Sequence, residues 1–272
     1  MKSMIWNAKN GEVALGHTKM SYVSFGRGKR TLILLPGLSD GLTTVRGKAL
    51  LLAKPYTRFF DRFTVYMFGR KDDMPSGYTI RDMANDQAEA MNTLGIDRAC
   101  IMGVSQGGMI AQYIAIDHPE LVERLVLAVT APAVNDILKG CIEKWIDCAR
   151  QENHKALMID TAEKGYSPNY LKRYRKLYPI IGLVGRPSNY DRFLINCNAI
   201  LGFDAFEELN KIHCPTLIIG GEDDQTVGIQ ASYDLRSRIA GSELYVYAGL
   251  GHAAYEEAKD FNRRVFGFMD TV

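Results

Sequence analysis

Short apolar runs rich in valine, isoleucine and leucine recur along the chain, and segments with helical spacing of apolar residues separate most of them. Runs of this kind, bounded by turn residues, are typical of strands buried on both faces of a sheet. Strands that alternate with helices predict an α/β fold with a mostly parallel sheet, here of about eight strands, flanked by helices. The predicted core strands are 31–37, 63–69, 99–105, 124–131, 215–221 and 243–249.

The clearest helix start lies after the second of these strands. Thr79 is followed three residues later by Asp82, an arrangement that resembles a capping box, and Ile80, Met83 and Met91 continue it with helical spacing. The region before residue 31 lacks helical spacing, so it predicts antiparallel strands that lead into the sheet.

One long interval carries no convincing strand pattern. Four helical segments, near 134–150, 153–164, 168–181 and 188–201, occupy the chain between Ala133 and Phe206. We interpret 133–206 as a helical cap inserted into a core domain made of 1–132 and 207–272. Ligands in such sheets bind at the carboxyl ends of the strands, so the cap is expected to cover that edge. Residues 189–204 return to the core and are the first place to look for substrate contacts.

Charge and composition narrow the function classes. The 272 residues include 33 basic and 31 acidic ones, and the most basic stretch, 170–178, is typical of the solvated face of an amphipathic helix. This balance predicts no nucleic-acid partner. Five scattered cysteines without a CxxC pair predict neither disulfides nor a zinc site.

The apolar pattern also bears on location. The N-terminal residues show no long apolar core and the chain has no apolar run of membrane-spanning length, so neither a signal peptide nor a membrane partner is expected. We therefore expect a cytoplasmic protein whose partner is a small-molecule substrate, with a homodimer left open.

A serine stands at one predicted junction between strand and helix. In GVSQGG, residues 103–108, Ser105 has glycine two positions away on each side. A nucleophile elbow needs this context, because a tight strained turn raises the hydroxyl above the sheet and side chains at Gly103 and Gly107 would collide with neighbouring elements. Gly108 would allow close packing of the helix on the sheet. Ser105 is the predicted nucleophile.

A serine hydroxyl needs a base, and His252 is the predicted one. It follows the last predicted strand at its carboxyl end, in a glycine-bearing loop. The remaining histidines lie in segments where a structural role is expected: His17, His118, His154 and His213.

The base in turn needs an acid that fixes its orientation. Three carboxylates follow the strand 215–221, and Asp224, the third residue beyond Gly221, is our first choice. Asp223 is the alternative, and Glu222 comes third.

Two backbone amides are expected to form an oxyanion hole. One is the N–H of Gln106, the residue after the predicted nucleophile. The other is the N–H of Leu38, in the loop PGLSDG that follows the first core strand.

With these segments in their order and spacing, the chain resembles the α/β-hydrolase fold superfamily over essentially its whole length. The resemblance rests on GVSQGGMIAQYIAIDHPELVERLVL, CPTLIIGGEDDQTV and GLGHAAYEE. It implies a Ser105–Asp224–His252 triad and no metal or organic cofactor. The chain departs from the family at two places. Members often have His-Gly where this chain has Pro36-Gly37, and many have Asp-x-Arg-Gly-x-Gly-x-Ser where it has MFGRKDDMPS.

Among members, the segments resemble carboxylesterases, enol-lactonases and the carbon–carbon hydrolases of ring cleavage. The leading hypothesis is a serine hydrolase that cleaves a small ester or lactone through an acyl-enzyme. The alternatives are a carbon–carbon hydrolase of the meta-cleavage type, other serine chemistry of this fold (amidase, thioesterase or peptidase), and a receptor of the same fold with little turnover.

Overall fold

An eight-stranded sheet runs through the centre of the molecule, in a computed structural model that describes residues 5–271. The spatial order is β1-β2-β4-β3-β5-β6-β7-β8. β1 and β2 pair antiparallel with each other, β2 pairs antiparallel with β4, and all later neighbours are parallel. The predicted mostly parallel sheet with antiparallel leading strands is confirmed. The strands are β1 Lys9–Leu15, β2 Thr18–Gly26, β3 Arg30–Leu35, β4 Phe63–Lys71, β5 Ala99–Val104, β6 Val122–Ala128, β7 Thr216–Gly221 and β8 Glu243–Tyr247.

Helices connect the parallel strands. The capping box predicted at the start of the second helix is present, because the Thr79 side chain accepts from the Asp82 amide and the Asp82 carboxylate accepts from the Thr79 amide. The α-helices are α1 Ala49–Ala53, α2 Ile80–Thr93, α3 Gln106–Asp117, α4 Asp136–Arg150, α5 His154–Gly165, α6 Pro168–Tyr174, α7 Tyr178–Ile181, α8 Asp191–Leu201, α9 Ile229–Arg238, α10 Ala254–Glu257 and α11 Phe261–Met269.

Side chains of the central strands alternate between two apolar layers. Ile101 and Leu125 point into one layer, while Cys100 and Val126 point into the other. Every residue of β5 is buried, as is every residue of β7. Each fully buried aliphatic side chain contributes about 1.5–3 kcal/mol of transfer free energy, so these two strands form a rigid platform for the loops that follow them.

Two predictions about individual elements are wrong. β8 is not buried on both faces: it is an edge strand with a neighbour on one side, and Glu243 is exposed. The segment 168–181 is not one helix, because α6 ends at Tyr174 and a 3₁₀ turn precedes α7. Pro179 explains the break, since it has no N–H to donate and its ring would clash with the carbonyl of Arg175 four residues earlier.

The interval between β6 and β7 contains the five α-helices α4 to α8. An antiparallel bridge between Ala133 and Asp204 joins the two ends of this helical segment. α8 packs against the 3₁₀ turn Leu38–Gly41 that follows β3. The helices therefore lie over the carboxyl ends of the central strands.

No helix in the described part of the chain combines the length and the apolar character needed to cross a membrane. The first four residues of the N-terminal stretch, for which no signal peptide is predicted, lie outside the described residues.

Candidate active site

Ser105 occupies a strained turn between β5 and α3. Its backbone has φ 53° and ψ −122°, a conformation that residues other than glycine rarely adopt. The turn is closed by close backbone approaches: a Cβ at Gly103 would lie 2.3 Å from the carbonyl oxygen of Gly107, and a Cβ at Gly107 would lie 2.0 Å from that of Leu35. The two glycines fill the role predicted for them, because no side chain fits at either position. At Gly108, a Cβ would approach the Thr130 side chain to 2.6 Å, in line with the close packing expected there.

The three side chains predicted to act together are in contact. His252 Nε2 lies 2.9 Å from Ser105 Oγ, and His252 Nδ1 lies 2.8 Å from Asp224 Oδ2. The residues follow β5, β7 and β8, whose carboxyl ends share one edge of the sheet. With Nδ1 protonated and bonded to the carboxylate, Nε2 is free to accept the serine proton.

Asp224 is held more firmly than its two acidic neighbours. Its Oδ1 accepts from the amides of Thr226 at 2.8 Å and Val227 at 2.9 Å, while Oδ2 faces His252. Burial raises its pKa, but the charge and hydrogen bond of His252 together with the two amides outweigh that effect, so the pKa of Asp224 lies below its usual value. The carboxylate therefore stays ionised against the imidazole.

The alternative acids face elsewhere. Asp223 and Glu222 are exposed, and the Glu222 carboxylate accepts from the amide of Gly249 at 3.1 Å. Of the three carboxylates that are adjacent in sequence, Asp224 is thus the one that faces His252.

The two amides predicted for the oxyanion hole stand at helix starts. Gln106 is the first residue of α3, and Leu38 is the first residue of the 3₁₀ turn Leu38–Gly41. The first amides of a helix have no acceptor within it, which leaves them available to a ligand. The Leu38 loop lies beside the serine, since a Cβ at Gly37 would be 3.3 Å from Ser105 Cβ.

A buried arginine supports this loop from beneath, and sequence reasoning assigned it no role. The Arg70 guanidinium donates to the carbonyl of Pro36 at 2.7 Å and to Gln106 Oε1 at 3.2 Å. Burial lowers the pKa of Arg70 to about 10, although the nearby Asp40 carboxylate acts in the opposite direction. Arg70 therefore remains charged at neutral pH. In the sequence, the one feature that indicates a buried cation is that Arg70 directly follows the apolar run of β4.

An ion pair between Arg192 and Asp40 joins the helical segment to the loop that follows β3. Arg192, near the start of α8, donates to Asp40 Oδ2 at 2.9 Å, and the Arg70 amide donates to the same oxygen at 2.9 Å. Asp40 is fully buried. The Arg192 side chain is 19% exposed and that of Asp40 is buried, so the pair holds α8 against the loop that follows β3.

The serine and histidine open into a small apolar cavity of about 170 Å³. Residues from the sheet loops form its floor, and α4, α5 and α8 form its walls. Phe193 is the contribution of the stretch 189–204 that the sequence indicated for substrate contacts. The lining residues are Gly37, Leu38, Ser39, Leu42, Val104, Ser105, Trp145, Leu157, Met158, Thr161, Phe193, His252 and Tyr255.

The other histidines lie outside this cavity. His17 is in the turn between β1 and β2 rather than in a strand, and His118 ends α3. His154 is buried with Nε2 2.9 Å from the carbonyl of Val184, and His213 is exposed. Within residues 5–271, no three His, Cys, Asp or Glu side chains are grouped as a metal site requires.

Residues 32–179 match the family described as the alpha/beta hydrolase fold, which is more than half of the chain. The chain belongs to this family. It is therefore an enzyme of the α/β-hydrolase fold, as the resemblance implies.

Named relatives fall into more than one hydrolase class. A protein named "Putative carbamate hydrolase RutD" from Serratia proteamaculans is 26% identical over 73% of this chain and 76% of its own. A 2-hydroxy-6-oxononadienedioate/2-hydroxy-6-oxononatrienedioate hydrolase from a Pseudomonas species is 29% identical over 70% of each chain. The crystal structure of an enol-lactonase from Burkholderia xenovorans LB400 superposes with a TM-score of 0.80 at 24% identity, covering 96% of this chain and 100% of that one, which shows a shared fold.

Proposed function

We propose that this α/β-hydrolase is a serine hydrolase that cleaves a small carboxylic ester or lactone through an acyl-enzyme on Ser105. The observation that carries the proposal is the bridging position of His252, 2.9 Å from Ser105 Oγ and 2.8 Å from Asp224 Oδ2, at the floor of an apolar cavity. A nucleophile, a base and an orienting acid within hydrogen-bond reach of one another are the requirements of nucleophilic catalysis.

In the proposed reaction, Ser105 Oγ attacks the carbonyl carbon while its proton passes to His252 Nε2. The carbonyl electrons move to oxygen, and the amides of Leu38 and Gln106 donate to that oxyanion. Collapse of the intermediate breaks the bond to the alcohol, which takes the proton from His252. Water then repeats the sequence, releases the acid and restores Ser105. Asp224 stabilises the imidazolium in both halves of the reaction.

We propose further that the helical segment 133–206 acts as a cap. α4, α5 and α8 supply Trp145, Leu157 and Phe193 to the cavity above Ser105. These walls exclude water from the acyl group and strengthen the electrostatic interactions beneath it.

The cavity favours a neutral substrate over the dicarboxylate named for the Pseudomonas relative. Among the described residues that line it, none is lysine or arginine. A buried substrate carboxylate without a cation partner is strongly disfavoured. This is why we place ester or lactone cleavage ahead of carbon–carbon cleavage.

The proposal is tested with p-nitrophenyl esters, simple lactones and a vinylogous diketone. Wild type is expected to turn over esters or lactones, and Ser105→Ala to lose several orders of magnitude in kcat/KM while folding normally. Ser188→Ala, an exposed serine on the same chain, is the matched control and keeps its activity. Phenylmethylsulfonyl fluoride should add its mass to Ser105 alone.

Three results would contradict the proposal. Turnover of the diketone alone would favour the carbon–carbon hydrolase. A single stoichiometric event without sustained turnover would favour a receptor. Labelling of a different serine would remove Ser105 from the nucleophile's role.

A further inference from the structure

A second cavity lies next to the one above Ser105. It measures about 470 Å³ and shares four lining residues with the first: Ser39, Met158, Thr161 and Tyr255. The two spaces therefore adjoin at these residues. We call the second space the tyrosine chamber, after the side chains that form much of its wall, among them Tyr166, Tyr170, Tyr174 and Tyr178.

Three of these tyrosines form a stack along α6 and the residues before it. The rings of Tyr166 and Tyr170 lie 4.3 Å apart and 7° from parallel, and those of Tyr170 and Tyr174 lie 4.1 Å apart and 10° from parallel. Stacking of neighbouring rings holds each in place, so the wall is preformed rather than assembled by a ligand.

Two of the tyrosine hydroxyls in this wall already have carboxylate partners. The Tyr166 hydroxyl donates to Glu256, and the Tyr178 hydroxyl donates to Glu163 at 2.9 Å. Among the described residues that line the chamber, Glu256 is the one that carries a formal charge. Its negative charge opposes an anionic ligand, and the ring edges and aliphatic side chains favour an apolar one.

The sizes of the two spaces indicate how much of a substrate each can hold. Cavities that bind small molecules usually measure about 300–1,000 Å³, and the space above Ser105 alone falls below that range. The two spaces together fall within it. The outer wall includes the partly exposed side chains of Leu177, Ile180 and Val184, so the end of a long group can extend towards solvent.

From this geometry we infer that the tyrosine chamber is a binding site for the long, neutral, apolar group of the substrate, which passes from Ser105 between Met158 and Tyr255. The inference rests on the proposed function and specifies its substrate class as esters with an extended aliphatic or aromatic part. A binding site of this shape serves a long acyl group or a long alcohol group equally well, because both present the same chemistry to the wall.

Two isomeric esters distinguish a long acyl group from a long alcohol group as the occupant. Ethyl octanoate carries the long group on the acyl side and octyl acetate carries it on the alcohol side, while ethyl acetate lacks it. Each methylene transferred from water contributes about 0.8 kcal/mol, or roughly a fourfold gain in binding, until the chamber is filled. Wild type is expected to prefer one of the isomers over ethyl acetate by at least about tenfold in kcat/KM, and the preferred isomer identifies which side of the ester enters the chamber.

Ala162→Trp is the decisive variant. Ala162 lines the tyrosine chamber and not the space above Ser105, so the indole occupies the chamber itself. The preference for the long isomer should fall at least about tenfold. Leu183→Trp is the matched control, because Leu183 lies on the same helical segment, is 80% exposed and lines neither space. It should keep the wild-type preference.

The outcomes separate the inference from the proposed function. Hydrolysis of ethyl acetate without any preference for a long isomer, or a preference that survives Ala162→Trp, overturns the chamber as a binding site and leaves the serine hydrolase intact. If wild type hydrolyses none of the esters, the proposed function fails. Calorimetric binding of octyl acetate to Ser105→Ala then tests whether the chamber is a binding site. If Ala162→Trp weakens this binding at least about tenfold, the result supports the chamber as a binding site. Unchanged or absent binding overturns the inference.

Discussion

The sheet half and the helical half of the candidate site are constructed by different means. On the sheet side, Ser105 and its partners stand at the ends of buried strands, and backbone atoms touch backbone atoms around Gly107. On the helical side, side chains of α4 to α8 form the walls, and several large apolar residues there are exposed.

This difference indicates where the molecule tolerates change. A backbone contact cannot be relaxed by choosing another rotamer, whereas a wall made of side chains can be rebuilt by substitution. We therefore expect the sheet half to fix the reaction and the helical half to set the substrate. Three predictions test this division.

The largest effect is expected within the acidic turn after β7. Asp224→Asn should lower kcat by about 10³–10⁴-fold, because an amide at this position favours the wrong tautomer of His252. Asp223→Asn removes the same charge one residue earlier at an exposed position and should change kcat less than about threefold. Steady-state kinetics on one ester measures both. A larger loss of kcat for Asp223→Asn would identify Asp223 rather than Asp224 as the acid.

A smaller effect is expected from two glycine substitutions, one in each half. Gly107→Ala places a methyl group 2.0 Å from the Leu35 carbonyl oxygen and should lower the free energy of unfolding by about 2–3 kcal/mol. Gly140 lies on the exposed face of α4, with nothing within 4 Å of the methyl group that alanine would add. Gly140→Ala should therefore raise the free energy of unfolding by about 0.5–1 kcal/mol. Denaturant unfolding measures both changes. If Gly107→Ala were neutral, the elbow would be less rigid than its contacts indicate.

The smallest effect concerns the opening of the helical half. Amides of α5, α6 and α7 should exchange with solvent faster than those of β5 and β7, because short, partly exposed helices open at lower free energy than central strands. Acylation of Ser105 should slow exchange in α5 about tenfold, since the acyl group fills the cavity beneath it. Hydrogen exchange with mass spectrometry provides the comparison. Equal protection in both halves, unaffected by acylation, would show that the helical segment is a rigid part of the core.

Local patterns in the sequence were sufficient for much of the fold. The apolar runs that became β3 to β7 and the capping box at Thr79 depend on residues close together in the chain, so their spacing carries the information. The glycines around Ser105 form a local sequence motif, but the contacts that exclude a side chain at Gly107 and Gly108 come from Leu35 and Thr130, which are distant in the chain. The same reasoning failed at β8 and at 168–181, where an edge position and the effect of Pro179 outweighed apolar content.

The sequence by itself determined the parallel sheet, the strained serine and the order in which serine, acid and histidine follow their strands. Only the tertiary structure decided that Asp224 rather than Asp223 faces His252, that Arg70 lies buried beneath the Pro36 loop, and that Tyr170 and Tyr174 of α6 line a cavity next to the one above Ser105. The physical reason is distance along the chain. Contacts between Asp224 and His252, or between Arg70 and Pro36, join residues that are far apart in sequence, and the packing of whole elements alone sets which side chains meet.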